Sequence, residues 1–321
     1  MADAVLAVIT DATPQGLSSA GLEALGFARR LADERGGELA AAGLAGPAAQ
    51  ELAEHGARRV FAIHDSGDAP AGELLLAGAE AAVRAQPAAI VVVSRGPHAL
   101  EIAPRLAARL GGGCVMNVTE AGSLDGVVQA TAAIFGGAAR AVYRINAAPA
   151  VLTPTAGAAE APSRGERAGT VEPLTLTPRS KVRVLRPPRT PEGPRLEDAE
   201  VVVSGGRGLG EAKNYALVRE LATALGGMPG ASRAIVDDGW ASPAEQVGLT
   251  GKIVTPRLYM AIGISGASQH MAGCANAGTL VAVNSDRGAP IFRFAQLGIV
   301  DDCLAVLPEL IRLAKQRAAH G

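Results

Sequence analysis

One device recurs in the second half of the chain and limits what it can fold into. A short run of apolar, mostly branched residues ends in glycines and opens at once into a helical segment, as in "VVVSGGRGLG" (residues 201–210) and "YMAIGISGASQH" (residues 259–270). An apolar run of strand length that is not alternating is buried on both faces. A helix following each such strand makes the sheet parallel and covers it on two sides. Glycines at the strand-to-helix turn let backbone N–H groups come close to an anion, and the positive end of the next helix adds to that attraction.

The first half carries the same alternation. "AVLAVIT", "LAAAGLAG", "RRVFAIHD" and "AAIVVVSRG" have strand patterns, separated by helical spacing over residues 21–34, 48–55 and 73–85, with another helix over 100–110. The rhythm then changes. "GCVMNVTEA", "GVVQATAAIFGG" and "RAVYRINAAPAVLTP" follow with no helix between them and predict strands that extend the sheet, some of them antiparallel. Residues 155–196 are rich in Pro, Ala, Gly, Arg and Thr and predict an exposed connection with one edge strand over 171–176. A second α/β unit begins near Pro194, with a helix over 214–225, a strand in "SRAIVDDG", a strand leading to Ile262, a helix from about Ala267, the strand "GTLVAVNSD" and a last helix over 306–317.

At 321 residues the chain exceeds the size of one core, so two domains are expected. A net charge of −1 and 19% charged residues exclude a binder that relies on an electrostatic grip on nucleic acid, and 3% aromatics exclude a base-stacking platform. The three cysteines, Cys114, Cys274 and Cys303, are far apart and fit no metal spacing, which implies a reducing compartment. With no basic leader and no apolar run of about 18 residues, the expected location is the cytoplasm.

Five polar clusters stand at or near ends of the second unit's apolar runs. Gly206 and Arg207 lie in the first glycine turn, which alone also fits a plain tight turn because the spacing GxGxxG is missing. Ser232 and Arg233 precede an apolar run; a surface arginine is the simpler alternative. Gln246, Val247, Gly248, Thr250 and Gly251 form a small loop that equally fits a β-turn. Gly263, Ile264, Ser265, Gly266, Gln269 and His270 make the second glycine turn, with Ser265 a candidate N-cap or phosphate donor and His270 in the first turn of the following helix. Asn284 and Asp286 end a strand, where such groups hydrogen-bond a ribose or simply start a turn. Clustering on successive elements favours a ligand site, because open α/β sheets bind at strand ends.

The run "VVSGGRGLGEAKNYALVRELATALGG…GASRAIVDDGW…EQVGLTGKIVTPRLYMAIGISGASQHMAG…LVAVNSD…APIFRFAQLGIVDD" resembles the FAD-binding domain of the electron transfer flavoprotein alpha subunit from about Glu200 onward. The first half resembles that family less closely, through "EIAPRLAARLGGG" and "FGGAARA". The resemblance implies two domains. Residues 1–193 would be a Rossmann-like α/β domain with extra antiparallel strands, packing on a beta subunit and ending in the exposed 155–196 connection. Residues 194–321 would be a flavodoxin-like parallel-sheet domain holding FAD.

By the same resemblance Arg207 lines the flavin site, Arg233 of the "SR" pair lies against the isoalloxazine, and Thr250 of "QVGxTG" reaches the flavin near N5. Ser265 and its neighbours meet the phosphates, His270 stands near the flavin C2 carbonyl, and Asn284 and Asp302 hold the AMP half. Arg233, Thr250 and His270 are thus the expected tuners of the flavin. Leu249 departs from the family's usual glutamine, and "NSD" and "GMPG" from its usual runs. The implied function is an electron carrier of fatty acid beta-oxidation, a heterodimer moving electrons from acyl-CoA dehydrogenase-type flavoenzymes to a quinone oxidoreductase or other reductase. The alternatives are a subunit of an electron-bifurcating complex and an NAD(P)-dependent oxidoreductase, the latter disfavoured by the missing GxGxxG.

Overall fold

The computed structural model describes residues 4–13, 16–65, 69–135, 139–165, 169–182, 184–185 and 194–320. Chain contacts divide it into two compact units, Met1–Thr190 and Pro191–Gly321.

The first unit runs β1 (Val5–Val8), a small hairpin of β2 (Ala12–Thr13) and β3 (Gly16–Leu17), α1 (Ser19–Glu34), β4 (Leu39–Leu44), α2 (Pro47–Glu54), β5 (Arg59–Asp65), α3 (Ala71–Ala85), β6 (Ile90–Val93) and α4 (Ala99–Leu110). Then come β7 (Gly113–Leu124), β8 (Val127–Ile134), β9 (Ala139–Ile145), β10 (Ala150–Pro154) and β11 (Thr170–Leu176). Apart from the hairpin they form a nine-stranded sheet in the order β11-β5-β4-β1-β6-β10-β7-β8-β9. It is mixed: β7, β8 and β9 pair antiparallel, and the other pairings are parallel. The two-residue period of β1 shows why its strand is apolar throughout. Val5 and Ala7 enter one core with α1, while Leu6 and Val8 enter a second with α3 and α4.

β11 takes the edge beside β5 in parallel, where its Pro173 removes no inner ladder bond. The first part of the expected exposed connection is largely exposed, with a few points of contact. Ala156 is buried, Ala158 and Ala159 lie against the first core, and His55 Nδ1 is 2.6 Å from the Pro162 carbonyl oxygen. Small alanines let this turn-rich segment touch the first core despite its polar composition.

The second unit contains β12 (Val201–Gly205), α5 (Tyr215–Ala224), β13 (Met228–Ala231), α6 (Arg233–Asp237), β14 (Leu258–Ile262), α7 (Ser268–Met271), β15 (Thr279–Val283), β16 (Leu297–Ile299) and α8 (Cys303–His320). All its pairings are parallel, in the order β13-β12-β14-β15-β16. That is the flavodoxin-like order, whose switch point falls beside the first strand. Val203 of β12 joins Val218 and Leu221 of α5 and Leu307 of α8 on one face, and Val202 joins Tyr259, Met271 and Ile291 on the other. Burial of each such aliphatic side chain contributes about 1.5–3 kcal/mol.

One expected strand is a helix. Residues 233–237 in "SRAIVDDG" form α6, and the strand is the preceding "MPGA". Arg233 therefore follows a strand's C-terminal end rather than opening a strand, which puts it on the ligand-binding side of the sheet.

Candidate functional site

The site is assembled where β12, β13, β14 and β15 end. After β12, the Gly206 N–H donates to the Ile262 carbonyl (2.8 Å) and the Gly208 N–H to that of Gly263 (3.0 Å). A Cβ on Gly208 would come within 2.7 Å of the Gly263 Cα. The two glycine turns are thus packed backbone to backbone, and the N–H groups of Gly206 and Gly208 serve each other's turn. Of the two readings of this turn, anion cradle and plain tight turn, the second accounts for these contacts: the residue type is set by close approach.

Gly266 has a φ of +83°, and a Cβ there would stand 2.3 Å from the Ile291 nitrogen. Its lack of a side chain lets the Ile291 N–H donate to the Ser265 carbonyl at 3.0 Å, tying the α7 turn to the segment after β15. Ser265 is not the helix cap, since that position is Ala267, which has no side-chain bond to offer.

Between these ends lies a cavity of about 650 Å³, within the range of small-molecule and cofactor sites. The β12 turn contributes Arg207 to its wall, and the β13–α6 junction contributes Ser232 and Arg233. The loop before β14 contributes Gln246, Val247, Gly248 and Thr250; the β14–α7 turn contributes Gly263, Ile264, Ser265, Gln269 and His270; the end of β15 contributes Asn284 and Asp286. Four expected residues stand outside the wall. Gly206 and Gly266 are packing positions as described, and Gly251 is pressed against the Gln246 carbonyl, 2.4 Å from where its Cβ would be. Asp302 precedes α8 and accepts from the Leu304 N–H at 2.9 Å, a helix-capping contact.

Gly208, Ala234, Leu249, Ala267, Ala289 and Pro290 also line the cavity and were not among the expected site residues. Leu249 stands where the family's usual residue is glutamine and puts an apolar side chain on the wall. The others are small or apolar and carry no chemical signal in the sequence.

Arg207 stands 3.4 Å from Asp238, and Arg233 stands 3.2 Å from Asp237. Both arginine side chains are more than half exposed, 69% and 66%, so these pairs hold them weakly. Gln246 Nε2 donates to Thr250 Oγ1 at 3.1 Å. Asn284 is committed to the fold, its amide donating to the Ile264 carbonyl at 2.9 Å and accepting from the Asp286 N–H at 2.9 Å.

Two wall atoms are buried without any hydrogen-bond partner, Ser232 Oγ and His270 Nδ1. Burial pushes the His270 imidazole down to about 4, with the Val247 backbone opposing the shift in part. His270 is therefore neutral near pH 7 and faces a ligand as a hydrogen-bonding group, not as a cation. The positive charge on the wall comes from the two arginines. At a cavity wall, partnerless buried polar atoms are points where a ligand or water could supply the missing bonds. Guanidinium, hydroxyl, amide and imidazole groups together fit FAD, which brings anionic phosphates, hydroxyls and ring carbonyls.

The family model for the electron transfer flavoprotein domain matches residues 5–178, and that for the electron transfer flavoprotein FAD-binding domain matches residues 195–275. The chain is 37% identical over 325 residues to electron transfer flavoprotein subunit alpha of Mycobacterium leprae, covering 99% of each chain. The chain belongs to the electron transfer flavoprotein alpha subunit family. Similarity to that subunit of Thermoanaerobacterium thermosaccharolyticum is 54% over 121 residues, 38% of this chain and 37% of that one. Protein FixB of Azorhizobium caulinodans is 35% identical over 315 residues, 92% of this chain and 84% of that one. The family's FAD-binding match, ending at residue 275, takes in the cavity wall except Asn284, Asp286, Ala289 and Pro290. Among the described residues no helix is long and apolar enough to cross a membrane, and no cluster of His, Cys, Asp or Glu could hold a metal ion.

Proposed function

We propose that this chain binds FAD in the second unit's cavity and, paired with a beta subunit, carries electrons from acyl-CoA dehydrogenase-type flavoenzymes to a quinone oxidoreductase or other reductase. The observation that carries the flavin reading is the pair of partnerless buried atoms, Ser232 Oγ and His270 Nδ1, on the wall of a cavity that also presents two weakly held arginines. Family membership supports the carrier role.

FAD supplies the electron storage when bound. The protein supplies binding, orientation and electrostatics. Arg233 would set a positive charge against the ring region where reduction builds negative charge, and Arg207, Ser265 and Gln269 would hold the more polar portions. Thr250 offers a hydroxyl and Ser232 an unsatisfied one. His270 offers a neutral imidazole, and Asn284 fixes the turn that brings Ile264 to the wall.

A beta-subunit surface is supported by the first unit. Val142 and Tyr143, on the edge strand β9, are exposed at 62% and 42%, and Phe135, just beyond the end of the neighbouring β8, at 84%. Exposed apolar groups gathered at one edge mark a partner surface. Co-expression with a family beta subunit tests the proposal: a yellow heterodimer with an oxidised-flavin spectrum is expected. A colourless complex that cannot be reconstituted with FAD contradicts it.

A further inference from the structure

Tyr259 of β14 has no exposed surface, and its hydroxyl lies 3.0 Å from Nε2 of His270. The two rings are 6.1 Å apart and tilted by 55°. Which group donates follows from where the phenol proton can go. Ser204 Oγ stands close enough to act on the phenol but makes no hydrogen bond of normal geometry with it, so the 3.0 Å contact to Nε2 is the better-formed path for the phenol proton. Cys274 Sγ points its own contact at the His270 carbonyl, 3.6 Å away, and a thiol is a weak acceptor. A fully buried hydroxyl proton left without an acceptor costs about 1–3 kcal/mol.

Donation from Tyr259 to Nε2 removes that cost and uses the one hydrogen bond the geometry provides. Both groups keep the charge state this requires: burial holds the phenol well above its ordinary value of 10 and the imidazole down at about 4. A neutral imidazole that accepts at Nε2 carries its proton on Nδ1. Nδ1 makes no hydrogen bond of normal geometry, in a residue that lines the cavity beside the Val247 backbone.

We infer that Tyr259 is a positioning residue: its hydroxyl donates to Nε2 of His270 and fixes the ring as the Nδ1–H tautomer, so that the cavity wall presents a neutral N–H donor to an acceptor on the ligand. The identity of that acceptor as a flavin carbonyl rests on the flavin reading; the tautomer does not. Tyr259 touches no ligand and acts only through His270. The pair gives the site a donor that stays uncharged, so its hydrogen bond persists without adding a third cation beside the arginines.

The test uses the full chain with its beta subunit, labelled with 15N-histidine, stripped of flavin and then reloaded with FAD. Long-range 1H–15N spectra report the tautomer of each ring, and His270→Asn identifies the His270 signal among the five histidines. In the stripped wild type, Nδ1 protonated and Nε2 bare is expected. Tyr259→Phe, which keeps the ring's packing, is expected to move the proton to Nε2 or to an exchanging mixture and to weaken FAD binding about fivefold. Nε2–H in the wild type, or an unchanged tautomer in Tyr259→Phe, overturns the assignment. If Tyr259→Phe does not fold, the wild-type tautomer alone decides. A Nδ1–H ring in a protein that takes up no FAD contradicts the flavin reading and upholds the tyrosine's role.

Discussion

Arg233 and His270 divide the work at the wall by charge. The guanidinium is permanently positive and held by one exposed partner, Asp237, while the imidazole is neutral because burial pushes it down to about 4. Replacing Arg233 by Ala is expected to lower FAD affinity roughly ten- to hundredfold, the weight of a charged hydrogen bond, and to lower the flavin's potential. Fluorescence titration and potentiometry check this, and unchanged values in both contradict it. His270 makes a separate prediction about pH. Its folded value of about 4 lies below its ordinary 6.5, so the unfolded chain takes up the proton first as pH falls. The stability contributed by this group is full above pH 6.5 and is lost as pH falls towards 4. Between pH 7 and pH 5 the flavin-stripped second unit is expected to lose about 2 kcal/mol through His270, read by urea unfolding, and His270→Asn should flatten that dependence.

At the scale of elements, the glycine turns hold the site open by packing on each other. Gly266→Ala places a methyl 2.3 Å from the Ile291 nitrogen at a φ of +83°, and is expected to destabilise the unit by about 1–3 kcal/mol and to abolish flavin retention. A melting temperature and flavin content matching wild type would contradict this. The same elements show what a sequence displays. Buried strands β12, β14 and β15 were legible because a branched apolar run with glycines at its end fits little else. Residues 234–236 misled because a short apolar run of Ala, Ile and Val suits a buried helix as well as a strand. The true strand, "MPGA", has proline and glycine and poor strand propensity; it pairs because it is the edge beside β12, where Pro229 is tolerated. The candidate site residues were legible as polar groups at strand ends, whereas Ala234, Ala267 and Ala289 were not, since an alanine lining a cavity has no signal beyond its position. The use of the Gly206 and Gly208 N–H groups inside the turns was also invisible, because a glycine pattern is the same whether it faces an anion or a neighbouring backbone.

Taken as a whole molecule, the chain separates its tasks. The second unit carries the cavity, and the first unit's sheet ends at β9, where Val142 and Tyr143 are exposed, with exposed Phe135 just beyond β8. Phe135→Asp combined with Tyr143→Asp is expected to reduce heterodimer formation at least tenfold by size-exclusion chromatography, leaving the folding of the second unit intact. A heterodimer of wild-type stability would remove that edge from the interface. The central claim is that the second unit's cavity is a flavin site, and it is tested most directly by titrating FAD into the stripped heterodimer and following flavin fluorescence. One FAD bound per alpha chain, with binding lost in Gly266→Ala and weakened in Arg233→Ala, is the expected result. No saturable binding to this chain, or binding that neither substitution changes, contradicts it.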